Sequence, residues 1–146
     1  MHAVLVAIYT AFFLFLIYRL PFFDVPRVSR KALMGLFGIK LCAGFALWAV
    51  YTYYYPDRQY ADIYKFFDDG NALFAVLAQS PGDYLKMLTG LGEVTPLMER
   101  VYGEEMNHWH LAWDRGIFNG NRVIIRLNGF LRLFSFGYMN VHTVFM

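Results

Sequence analysis

Asp68 and Asp69, with Asp62 six residues before them and Gly70-Asn71 directly after, are the most chemically pointed residues of this 146-residue chain. Two neighbouring carboxylates suit general-base work, because each makes ionisation of the other harder and so holds one poised to take a proton. They equally suit a divalent metal ion. The plainer reading is that the three acids form the solvated face of a helix. Arg122 and Arg126 lie four residues apart, so a helix sets both guanidinium groups on one face, with Gly129 leaving room beside them and Arg132 about 80° off that line. Planar, permanently charged forks suit a phosphate or diphosphate head group; the plainer role is anchoring to lipid phosphates. His108 and His110 flank Trp109, but a zinc site needs further ligands at suitable spacing, from Glu104, Glu105 or Asp114. Trp109, Trp113 and Tyr102 read as side chains that dock the segment on lipid or stack on a sugar ring. The sequence has no GxSxG, Walker loop, GxGxxG or CxxC pattern, so serine-hydrolase, P-loop and dinucleotide-binding readings lack support.

The elements that must position these groups are not those of an ordinary soluble domain. Hydrophobic residues make up 58% of the chain and charged residues 16%, where soluble domains carry about 25% charged residues. A net charge of +2 argues against a nucleic-acid partner. The single cysteine, Cys42, excludes a disulfide framework. Residues 3–18 hold no charge, and residues 1–23 read as a first transmembrane helix with its exit. Residues 33–55 read as a second; Lys40 is its only charge, expected to snorkel, and Trp48, Tyr51, Tyr53, Tyr54 and Tyr55 form an aromatic belt at its end. Residues 24–32 join them with Arg27, Arg30 and Lys31 against Asp24, which places this loop in the cytoplasm, and Met1 and Tyr60 outside.

Residues 56–128 carry ten of the eleven acids and read as an extracytoplasmic helical loop. Residues 61–77 form an amphipathic helix expected to lie on the membrane face. Ser80-Pro81-Gly82-Asp83 has the order of an N-cap, a proline at the first helical position and an acid two further on, with a stop near Gly90 and Gly92. Thr95-Pro96 starts another helix, closed by Gly116 and Asn119-Gly120-Asn121. Residues 129–146 read as the start of a third, truncated transmembrane helix, since Val144-Phe145-Met146 has no cap or anchor, and further helices of the same chain are expected. The expected fold is therefore all-α: a polytopic membrane protein with two to three transmembrane helices and an extracytoplasmic loop of juxtamembrane amphipathic helices.

The stretch Ala61-Asp62-Ile63-Tyr64-Lys65-Phe66-Phe67-Asp68-Asp69-Gly70, then Asn121-Arg122-Val123-Ile124-Ile125-Arg126-Leu127-Asn128 running into Arg132-Leu133-Phe134-Ser135, resembles the amino-terminal part of bacterial multi-pass glycosyltransferases of the GT-C type, related to the polyprenyl-phosphate-sugar-dependent mannosyltransferases. The likeness covers residues 31–146 and its motifs are degenerate. It departs from the family in that the acidic pair follows the second span, which requires an extra amino-terminal helix. The resemblance implies a bacterial inner-membrane enzyme that moves a sugar from a polyprenyl-phosphate-linked donor to an envelope acceptor. It implies Asp68 or Asp69 as the catalytic carboxylate and Arg122 and Arg126 as the donor-phosphate ligands; it fixes no cofactor and leaves a divalent metal open. Two other classes fit the same elements: a non-enzymatic assembly or accessory subunit, and a transporter fragment with Lys40, Arg132 and His142 as intramembrane charges.

Overall fold

The computed structural model describes residues 2–55, 61–110 and 120–146, which are helical with no strand among them. Met1, Tyr60, Trp113, Asp114, Gly116 and Asn119, all named above, lie outside the described residues. The chain divides into two compact units, one of Met1–Tyr54 with Tyr138–Met146 and the other of Tyr55–Gly137.

The first unit holds α1 (His2–Arg19), a 3-10 turn (Pro21–Phe23), α2 (Arg30–Tyr53) and α7 (Met139–Phe145). At 1.5 Å per residue α1 is about 27 Å long and α2 about 36 Å, and both are long and apolar enough to cross a membrane. α2 starts three residues before the expected 33, because Ser29 caps it: its Oγ accepts from the Ala32 amide at 3.1 Å. Ile17 is the buried residue of α1 and Leu41 that of α2, while Phe12, Phe15, Leu36, Ile39 and Leu47 are exposed. A water-soluble fold covers such side chains; here the protein itself does not.

α7 packs on both α1 and α2, with the Phe13 ring 5.4 Å from Phe145 and 6.0 Å from Phe37. Lys40 does not snorkel away. Its ammonium donates to the carbonyls of Thr143 at 2.8 Å and Val144 at 3.0 Å, capping the end of α7. Between α1 and α2, Arg30 donates to the Tyr18 carbonyl and pairs with Asp24 at 2.6 Å.

The second unit holds α3 (Asp62–Gln79), α4 (Pro81–Thr89), α5 (Pro96–Arg100), a π-helical turn (Val101–Glu105) and α6 (Asn121–Ser135). Ser80 and Thr95 cap as their sequences predict, accepting from the amides of Asp83 and Met98, each at 3.3 Å. The helix expected after Thr95 is short and gives way to the π turn, closed by Met106 N–H donating to the Val101 carbonyl at 3.0 Å.

α3 and α6 are the main pair of this unit, and glycines set how closely they approach. A Cβ on Gly70 would fall 2.6 Å from Asn128 Cβ and 2.9 Å from the Gly129 backbone nitrogen. The space beside Gly129, expected to serve the arginines, is filled by Leu73 of α3. The core is made by Leu73, Val76, Tyr84, Met87, Val101 and Ile125, among others; each such side chain contributes about 1.5–3 kcal/mol by leaving water. The apolar face of α3 is thus spent inside the unit rather than on a membrane face. Residues 129–146 are not one helix either: α6 stops at Ser135, and Phe136 and Gly137 take positive φ of 53° and 80° before α7 begins.

Candidate anion site

Arg122 and Arg126 project from one face of α6, as their spacing requires, and reach a cavity of about 360 Å³ in the second unit. Lys86 and Gly90 from the end of α4, Glu99 from α5, Tyr102 from the π turn and Trp109 with His110 from the segment beyond it line the same space.

Each arginine is held by a carbonyl and an aromatic ring. Arg126 Nε donates to the Met87 carbonyl at 2.8 Å, in the last turn of α4, where a cation meets the negative end of the helix dipole. Gly90 ends α4 with a φ of 72°, and a Cβ there would lie 2.5–2.9 Å from the Arg126 guanidinium, so the glycine serves both the turn and the arginine's seat. Arg122 Nε donates to the Trp109 carbonyl at 3.3 Å. Both guanidinium carbons lie 5.4 Å from the centre of the Trp109 ring, within cation–π range. Tyr102 stacks on the same ring at 4.1 Å and 8° between planes. Burial pushes the Tyr102 hydroxyl up, against the smaller opposing pull of Arg126 and Arg122. Lys86 sits 3.6 Å from Asp83 in an i, i+3 pair of half-buried side chains.

The aspartates part company. Successive helix residues point about 100° apart, so Asp69 is buried while Asp68 is exposed. Asp69 Oδ1 accepts from the Asn107 amide at 3.0 Å and Oδ2 from the His108 amide at 2.8 Å, and His108 Nδ1 stands 3.4 Å from Oδ2. Neither aspartate lines the cavity. Asp69 instead clasps the backbone just before Trp109, and through it the ring on which both arginines rest.

His108 and His110 likewise separate, one beside Asp69 and the other on the cavity. No group of three or more His, Cys, Asp or Glu side chains that could hold a metal occurs among the described residues. Trp109 is buried beside Tyr102 and the arginines, where it lines the cavity instead of a lipid-facing surface. Sequence reasoning missed Lys86, Gly90 and Glu99. The stop at Gly90 was legible, but nothing in the sequence indicated that α6 returns across that end of α4.

The arrangement can bind an anion: two guanidinium groups and an ammonium, against the one carboxylate of Glu99, face one concavity with a stiff aromatic floor. Comparison with protein-family models, with curated proteins and with solved structures gives no match.

Proposed function

We propose that this chain is part of a membrane-embedded glycosyltransferase in which residues 55–137 hold the phosphate of a polyprenyl-phosphate-linked sugar. The observation that carries the reading is the convergence of Lys86, Arg122 and Arg126 on one cavity. α1 and α2 act as the spans, and the arginines and lysine of the short connection favour its cytoplasmic placement, with the cavity on the outer side. In transfer, the arginines would offset charge on the departing lipid phosphate. A carboxylate must accept the proton of the acceptor hydroxyl, and Glu99 is the one that shares the cavity. Asp69, committed to two backbone amides, is a positioning residue in this reading.

A second reading, a non-enzymatic accessory subunit that binds the same phosphate, is favoured by the absence of Asp68 and Asp69 from the cavity.

Binding of a polyprenyl phosphate and of the matching neutral polyprenol, measured on the full chain in lipid nanodiscs, tests the shared part. The phosphate should bind more tightly, and Arg122→Ala should weaken it roughly 10- to 100-fold, since a hydrogen bond to a charged group contributes about 1.5–3 kcal/mol. Equal binding of phosphate and alcohol would remove the anion reading. Transfer of sugar from a polyprenyl-phosphate donor, lost in Glu99→Gln while phosphate binding persists, separates the enzyme from the accessory subunit.

A further inference from the structure

α6 turns one face inward through Ile125, Asn128, Leu131 and Ser135. Its opposite face carries Val123, Leu127, Phe130, Leu133 and Phe134, each 39–54% exposed. The spacing is that of a continuous helical stripe, with Val123, Leu127, Phe130 and Phe134 forming its centre line. An apolar surface this long is uncommon on a soluble face and marks a contact with something apolar.

We infer that this stripe is a lipid-contacting surface, and that α6 lies along the membrane with Val123, Leu127 and Phe130 in the boundary between head groups and acyl chains. Two features of the chain select lipid over other occupants. The charged residues of α6 are arginines with no acid; Arg132 lies over the Phe74 ring inside the unit, and Arg122 and Arg126 stand beside the stripe, which suits an anionic bilayer and sets two copies of the helix against each other. Continuity is the second feature, because residues 136–138 alone separate α6 from α7, which packs on the two helices long and apolar enough to span a membrane. Arg122 and Arg126 flank the stripe rather than interrupt it, so α6 can sink by about 5–10 Å while both guanidinium groups stay at head-group depth. The cavity they line then opens where lipid phosphates are. The inference rests on the membrane part of the function proposed above and is independent of what the cavity binds.

Spin labels on single cysteines test it in the full chain, reconstituted in vesicles of mixed zwitterionic and anionic lipid, with Cys42→Ala as background. Labels go at Leu127→Cys and Phe130→Cys, at Ile39→Cys on the exposed side of α2, and at Glu104→Cys as the aqueous reference. At positions 127 and 130 collisions with oxygen should exceed those with a water-soluble nickel complex several-fold, as at 39 and opposite to 104. Val123→Cys serves if either variant fails to fold. Nickel accessibility at 127 and 130 equal to that at 104, with 39 still in lipid, overturns the inference and leaves the spans intact. Protection from both reagents also overturns it, since a protein surface then covers the stripe. An aqueous signal at 39 overturns the inference together with the membrane reading.

Discussion

α1 and α2 turn their large apolar side chains outward and bury one residue each, whereas α3 and α4 turn theirs inward around Leu73, Tyr84 and Met87. Polar groups do not follow that contrast, since each unit draws one inward. In the first unit Lys40 spends its charge on the carbonyls that end α7. In the second, Asp69 is buried and accepts two amides. Each is the device its surroundings demand, because an unpaired carbonyl or amide away from water costs about as much as a lost hydrogen bond. The first unit thus leaves the large apolar side chains of its long helices uncovered, while the second builds its own core and shapes a cavity beside it.

Removing the buried acid should have the largest effect. Asp69→Ala strands the amides of Asn107 and His108, at roughly 1–3 kcal/mol each, and should release the segment that carries Trp109. Amide exchange of the full chain in nanodiscs should show lost protection near residues 106–109 with that of α1 and α2 unchanged; unchanged protection at both places would break the contrast between the units.

Close helix contacts come next. Gly70→Ala drives a Cβ into the backbone of α6 and should destabilise the second unit by about 1–3 kcal/mol. Gly44 is its counterpart in the first unit, where a Cβ would meet the Thr143 Cγ2 methyl at 2.5 Å. A side-chain methyl yields more readily than backbone, and alanine regains up to about 1 kcal/mol of helix propensity, so Gly44→Ala should be near neutral. Denaturation midpoints of the two variants, compared in the same micelle, check the order.

Lys40→Met should cost about 1.5 kcal/mol, the low end for a hydrogen bond to a charged group, because removing the half-buried ammonium also removes the cost of burying its charge. It should raise amide exchange in α7 alone, and no change there would mean that the cap contributes nothing.

The smallest effect is alkaline. Burial raises Tyr84 and Tyr102 above the ordinary 10.0, so the folded state holds these protons longer than the unfolded chain does. Their contribution is intact below pH 10.0 and is lost as the pH rises through the raised values. Unfolding of the second unit should ease above that point, and Tyr102→Phe should flatten the dependence. An equally steep profile in Tyr102→Phe would assign it to other groups.

The all-helical character, the two long apolar helices, the caps at Ser80 and Thr95 and the shared face of Arg122 and Arg126 follow from composition and spacing, because each depends on interactions within a few residues along the chain. Tertiary structure decided the rest. Whether Asp69 faces solvent or the Asn107 amide depends on a segment 38 residues away, and no local pattern encodes that return. The same holds for Lys86 and Gly90, on the helix that Tyr84 ties to the Gly129 carbonyl at 3.2 Å and Arg126 to that of Met87, and for Glu99 of α5, which lines the same cavity. An amphipathic pattern announces an apolar face but not its occupant: α3 spends its face on α6, and α6, with apolar residues on two sides, keeps one for the surroundings.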